Sequence, residues 1–238
     1  MANPYFKFKQ FTVYHDKCAM KVGTDGVLIG AWADVSRAEK ILDVGTGSGL
    51  IALMIAQRCD ASVLGIDIDE DAVIQARENV MASQWSGQIT IARQDVRVMA
   101  NECDTKFDVI LSNPPYFAED VKCPEAQRNT ARHTDELDFH SLLQAVSVLL
   151  TDDGTFSVVL PANAASDFIA LATKFKLFLS KQTWVYTKPN MPAKRVLMAF
   201  SRDKSTETQV GHLTIETAPK VYTPEFTALM KDFYLFIS

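Results

Sequence analysis

From residue 40 onward, short apolar runs that end in turn residues alternate with longer segments of mixed polarity. "KILDVGTG" (40–47) reads as a strand ending in a glycine turn, and "SVLGIDID" (62–69), "QITIARQDV" (88–96), "FDVILSN" (107–113) and "TFSVVLP" (155–161) follow as further strands. Between them, "LIALMIAQRC" (50–59) is apolar all round, as a helix packed on a sheet is. "EDAVIQARENVMAS" (70–83) opens with acids in its first turn and reads as a helix, as do "DFHSLLQAVSVLL" (138–150), stopped at "DDG", and "AASDFIALATKFK" (164–176). Then the alternation breaks. "LFLSKQTWVYT" (177–187) and "RVLMAFSR" (195–202) are two strands joined only by "KPNMPAK".

Alternating strand–helix–strand units imply a parallel sheet with helices on both faces. A connection as short as "KPNMPAK" permits only an antiparallel hairpin. The expected architecture is therefore α/β: a doubly wound, mostly parallel seven-stranded sheet that ends in an antiparallel hairpin. Ahead of it, residues 1–37 form an N-terminal extension with a basic segment and the helix "DGVLIGAWA" (25–33). Residues 38–202 form the main domain. Residues 203–238 add a strand and a terminal helix packed on the same domain, with Thr223 as N-cap and Pro224 at the first helical position.

Composition adds bounds. The chain has 238 residues, of which 47% are hydrophobic, enough to bury a core without staples. No apolar run approaches the roughly 20 residues that a membrane helix needs, and "MANPYFKFKQ" has no apolar signal core. Cys18, Cys59, Cys103 and Cys123 are far apart with no CxxC pair, so they read as reduced thiols of a cytoplasmic protein, and no metal site is expected. The net charge of −5 argues mildly against a nucleic-acid partner, but its distribution softens that. Residues 60–110 carry ten acids against four bases. Residues 1–33 carry four lysines against two acids, and residues 188–202 carry four bases and no acid. Ordinary solvated surface explains this as well as a binding face does.

Four motifs carry candidate chemistry. In "LDVGTGSGL" (42–50) a strand runs into Gly45, Gly47 and Gly49 and then into a helix, which suits close backbone approach to a ligand. The spacing is GxGxG, and Asp43 at the strand end would repel a diphosphate and suit an amino-bearing ligand. Thr46 lies within the same turn. Asp67, at the end of the next strand, can accept from two ribose hydroxyls, and Ile68 can pack on an adenine face. Asp69 reads better as a helix cap. Asp95, in "ARQDVRV", is either an acceptor for an adenine amino group or a solvated loop acid. Last, Asn113-Pro114-Pro115-Tyr116 follows a buried strand. The Asn113 side chain and the Pro114 carbonyl can accept both N–H groups of a planar exocyclic amine and aim its lone pair outward. Pro115 holds that carbonyl, Tyr116 can stack on the base and Phe117 adds an apolar wall.

Together these motifs resemble the class I S-adenosylmethionine-dependent methyltransferases over roughly residues 38–202. That resemblance implies S-adenosylmethionine as cofactor and methylation of a planar amino nitrogen: adenine N6, cytosine N4 or glutamine N5. "FKFKQFTVYHDKCAMKVGTDGVLIGAWA", "ARHTDELDFHSLL" and "KPNMPAKRVLMAF" resemble stretches of the bacterial tRNA1(Val) (adenine-37-N6)-methyltransferases, nearly end to end. This narrower resemblance implies tRNA, through its anticodon stem-loop, as the partner; no membrane and no obligate protein partner are called for. Lys21, Lys194 and Arg195 are candidate substrate contacts, with Lys7, Lys9, Lys17 and Lys188 as further basic neighbours. Thr24, in "VGTDG", either covers the methionine end of the cofactor or caps the following helix. A protein glutamine N5-methyltransferase would share the Asn-Pro-Pro-Tyr motif, and a non-catalytic RNA-binding module would bind RNA without Asn113. A nicotinamide oxidoreductase is disfavoured by the glycine spacing.

Overall fold

A computed structural model of the chain describes residues 3–115 and 137–237. In chain order the elements are β1 (Tyr5–Lys7), β2 (Thr12–Tyr14), α1 (Thr24–Trp32), β3 (Lys40–Val44), α2 (Leu50–Ala56), β4 (Ser62–Asp67), α3 (Glu70–Met81), β5 (Ile89–Arg93), α4 (Val96–Glu102) and β6 (Phe107–Ser112). They continue with α5 (Phe139–Leu149), β7 (Leu150–Pro161), α6 (Ala165–Lys174), β8 (Phe178–Tyr186), β9 (Arg195–Ser201), β10 (Gln209–Thr214), β11 (Glu216–Ala218), β12 (Val221–Tyr222) and α7 (Pro224–Met230).

The central sheet has the order β10-β8-β9-β7-β6-β3-β4-β5 among the described residues. Strand β9 runs antiparallel to both of its neighbours, β7 and β8, as the short hairpin connection requires. The other pairings are parallel. The strand expected after residue 203 joins this sheet as an eighth, edge strand, β10 paired with β8. Alternation along the strands feeds two cores. Ile41, Val109, Leu111 and Val159 face the layer of α1, α2 and α3. Leu42, Ile110, Val158 and Leu160 face the layer of α4, α5 and α6. Helix α2 is buried at all seven positions, which accounts for its lack of a polar face.

The small hairpins β1–β2 and β11–β12 are unexpected in the two flanking segments, and two details of the main domain also depart from the sequence reading. Helix α4 has no counterpart there; Asp95 caps it by accepting from the Arg97 amide at 2.8 Å, and its buried Val96 and Met99 hold it to the sheet. Strand β7 begins at Leu150, directly after α5, and takes in the "TDDG" expected to stop the helix. The pairing shifts there, from Phe107 opposite Leu150 to Val109 opposite Thr155. This bulge folds tightly enough that a β-carbon at Gly154 would lie 2.7 Å from Thr151 Oγ1.

The chain ends close on each other. Phe8 stacks on Phe11 and Tyr234, and the Lys9 amide donates to the Phe233 carbonyl at 2.8 Å. Thr223 caps α7 with Pro224 at its first position, as expected. No described helix is long and apolar enough to cross a membrane.

Candidate active site

The glycine turn after β3 lies at the C-terminal edge of the parallel strands, where open α/β sheets hold ligands. The Gly45 and Thr46 amides both donate to the Ile66 carbonyl at 2.9 Å, which ties the turn to β4. Gly45 and Gly47 have φ of 73° and 54°, and a β-carbon at either would meet nothing within 4 Å. Both line a cavity of about 330 Å³, so the turn presents bare backbone to it. Gly49 differs. It does not line the cavity, and its β-carbon would lie 3.3 Å from that of Ala76. Its role is to let α3 close against the turn.

Asp43 also departs from expectation. It is 0% exposed and lies behind the cavity wall, away from any ligand surface. Its Oδ2 accepts from Thr46 Oγ1 at 2.7 Å, while Oδ1 meets no donor in hydrogen-bond geometry. Burial pushes its carboxyl up to about 7; the Thr46 hydroxyl and the Ala52 amide hold it back, and the neighbouring Asp67 charge adds to the rise. A strand-end position in the sequence does not distinguish a carboxylate facing the ligand from one turned beneath the loop.

Asp67 does line the cavity. Its Oδ2 accepts from the Gly47 amide at 2.9 Å and its Oδ1 from the Asp69 amide at 3.0 Å. Each oxygen keeps a further lone pair for a ligand. Ile68 is 47% exposed at the cavity wall, an apolar surface placed to meet a flat ring. Asp69 caps α3, as expected. Asp95 lines the cavity too, with both oxygens held by the Arg97 guanidinium at 2.6–3.0 Å. That pairing holds its carboxyl below the usual range. The aspartate is thus a cap, an ion-pair partner and a wall residue together. Arg97 escaped the sequence reading because its helix did.

At the end of β6, Ser112 Oγ donates to the Val44 carbonyl at 3.0 Å and fixes β6 to the start of the glycine turn. This places Asn113, Pro114 and Pro115 on the cavity wall. Gly26 of α1 brings that helix close, since a β-carbon there would lie 3.0 Å from Leu50 and 4.0 Å from Asn113 Nδ2. Tyr116 and Phe117 lie outside the described residues.

Thr24 is exposed, is not the cap and does not line the cavity; Gly23 is the N-cap of α1. Its neighbour Asp25 lines the cavity instead and accepts from Arg195 Nε at 2.7 Å. Arg195 therefore braces the cavity rim, tying β9 to α1. Most of the basic flanks are similarly engaged. Lys188 pairs with Glu216 at 3.7 Å, Arg202 donates to the Ser147 carbonyl near the end of α5, Lys17 pairs with Glu78, and Lys9 donates to the carbonyls of Lys231 and Ile237. Lys21 is exposed and lines the cavity, and Lys194 is exposed near the rim pair.

Residues 18–23 form an outer wall that the motifs did not announce. Cys18 stands there among Asp67, Asp69, Asp16 and Asp71; burial and then these charges push its thiol up to about 11, which favours the neutral thiol. Among the described residues no group of three or more His, Cys, Asp or Glu side chains is placed to hold a metal ion.

The family model described as the methyltransferase small domain matches residues 22–178. A protein of Phocaeicola vulgatus named tRNA1(Val) (adenine(37)-N6)-methyltransferase is 56% identical over 237 residues, covering 99% of each chain. One of the same name from Bacteroides fragilis is 50% identical over 236 residues, again covering 99% of each. Among solved structures, a predicted O-methyltransferase of Agrobacterium tumefaciens superposes with a TM-score of 0.69 at 19% identity, over 88% of this chain and 96% of that one, a likeness of fold.

Proposed function

The chain belongs to the methyltransferase small domain family, and on that premise we propose that it transfers a methyl group from S-adenosylmethionine to the N6 amino group of adenine in tRNA. The target we assign is adenine-37 of tRNA1(Val), beside the anticodon, the base in the relatives' names. The observation that carries the reading is the meeting of Asn113-Pro114-Pro115 with the bare glycine turn on one cavity wall.

The cavity suits the cofactor on its own chemistry. Gly45 and Gly47 leave room for a ligand tail against the backbone, Asp67 offers acceptors for ribose hydroxyls, and exposed Ile68 gives the adenine an apolar face. Asp95, anchored by Arg97, is assigned to the adenine end. When bound, S-adenosylmethionine would supply an electrophilic methyl group on a sulfonium, whose carbon–sulfur bond breaks as the carbon–nitrogen bond forms, so that S-adenosylhomocysteine leaves as a neutral thioether.

The protein's own contribution is alignment. A target adenine must leave its stack to reach the cavity. The Asn113 side-chain oxygen and the Pro114 carbonyl would then accept its two N6–H groups, drawing the nitrogen toward tetrahedral geometry and aiming its lone pair into the cavity. Pro115 restricts the residue before it, keeping the Pro114 carbonyl in place. The amine becomes acidic once alkylated and gives its proton to water, so no strong base is required. Rate gain comes from near-attack positioning. Tyr116 and Phe117 are assigned to stacking on the base. Lys21 and Lys194 are assigned to the RNA backbone, with Arg195 acting indirectly through Asp25. A tRNA substrate puts this work in the cytoplasm.

The test uses tritiated S-adenosylmethionine and total tRNA from a strain lacking the protein, digested to nucleosides. Label in N6-methyladenosine is expected. The Asn113→Ala variant should bind cofactor normally and lose about 10²–10³ in turnover. Label entering protein and not RNA would overturn the assignment.

A further inference from the structure

The outer wall of the cavity belongs to the N-terminal extension, and the way it is fastened points to one residue. Asn79, on the third turn of α3, is 2% exposed and does not line the cavity. Its Nδ2 donates to the Tyr14 carbonyl and to the Ser48 carbonyl, both at 2.8 Å, and its Oδ1 accepts from the Tyr14 amide at 3.0 Å. One buried side chain thereby satisfies both backbone groups of Tyr14, as a neighbouring strand would, and a carbonyl of the glycine turn besides. One helical turn earlier, Gln75 is 1% exposed and accepts from the Lys17 amide at 3.2 Å. Lys17 Nζ pairs with Glu78 of the same helix. Further along, His15 is 5% exposed; its Nε2 lies 2.9 Å from the Asn3 carbonyl and its Nδ1 accepts from the Val22 amide at 3.4 Å. Residues 16–23 are thus held at both ends, and their middle faces the cavity.

We infer that Asn79 is a positioning residue for the cofactor: it fastens the segment 16–23 and the glycine turn to one helix, so that the outer wall and the cradle keep a fixed spacing across the cavity. The inference rests on the reading of this cavity as the S-adenosylmethionine site. An Asn spends nearly all of its hydrogen-bonding capacity here on backbone groups from two separate segments. A side chain that only had to fill space at that position of α3 could be apolar, like its buried neighbours Ala76 and Val80. Two buried amides on the core face of one helix carry a desolvation cost unless every polar atom is used. Removing Asn79 leaves the groups of Tyr14 and Ser48 to find water, and the wall segment loses its register with the turn. Because Asn79 touches no reacting atom, the loss falls on cofactor retention and not on the methyl-transfer step.

The experiment measures steady-state methylation of the tRNA by Asn79→Ala and by Gln75→Leu, with cofactor concentration varied at saturating tRNA. It adds calorimetric titration with S-adenosylhomocysteine and amide hydrogen exchange over residues 16–23. Asn79→Ala should raise the cofactor KM and the calorimetric Kd about 10-fold. Its kcat should stay within about threefold, its tRNA KM should not move, and exchange over 16–23 should quicken. Gln75→Leu, which frees the Lys17 amide and removes a 3.3 Å donor to the Glu78 carboxylate, should shift cofactor KM in the same direction by a smaller factor. If Asn79→Ala does not fold, Gln75→Leu decides the matter alone. An unchanged cofactor KM in the folded variants, or a loss confined to kcat, would overturn the inference. Wild-type protein that binds neither cofactor form would instead remove the assignment of the cavity.

Discussion

Asp43 carries a buried carboxyl, and its consequence for stability can be worked out. Burial raises it from the ordinary 3.8 to about 7 in the folded chain. Between those two values the folded protein holds a proton there that the unfolded chain has released. Stability from this group is therefore fully present below pH 3.8 and is lost as pH rises through about 7. A tenfold difference in proton affinity between the two states corresponds to about 1.4 kcal/mol, so a difference of roughly a thousandfold amounts to about 4 kcal/mol. Asp43→Asn keeps an oxygen for the Thr46 hydroxyl and cannot ionise. The variant's new amide adds a pH-independent offset of either sign, which cancels when only the slope is compared. In urea denaturation at pH 4.5, 5.5, 6.5 and 8.5 without cofactor, the stability of Asp43→Asn minus that of wild type should climb by about 1.4 kcal/mol per pH unit and flatten above pH 7. A difference that stays level across the series would show that Asp43 ionises normally in the folded chain and that the reasoning from its burial is wrong.

Two further outcomes follow from local geometry. Gly30→Ala should cost about 1–3 kcal/mol in urea denaturation, because a β-carbon there would lie 2.8 Å from Met54 Sδ and force α1 off α2; no loss would mean that the helices have slack. Ile68→Ala should leave the stability of the cofactor-free protein within about 0.5 kcal/mol, since the side chain is half exposed, yet raise the cofactor KM about 10-fold by removing the apolar face offered to adenine. An unchanged KM would place the adenine elsewhere.

Much of this protein is legible as one-dimensional pattern. The strand–helix alternation, the glycine turn after β3, the acid ending β4 and the Asn-Pro-Pro turn after β6 each depend on residues close in sequence, and their order alone brings them to one edge of a parallel sheet. The short link between β8 and β9 likewise dictates an antiparallel pair. Other facts depend on which side of a close contact a group falls. Asp43 and Asp67 read alike as strand-end acids, but one is sealed beneath the turn and the other faces the cavity. Gly45 and Gly47 open on the ligand side while Gly49 makes room for Ala76. Arg195 reads as a free cation until α1 brings Asp25 to it across 170 positions of chain. Gln75 and Asn79 did leave a trace, two amides spaced four apart on the core face of an otherwise small and apolar helix side. Their partners, Tyr14, Lys17 and Ser48, lie in segments that only folding brings together. Local chemistry specified the parts of the site; packing of distant segments decided which parts face the ligand and which hold the others in place.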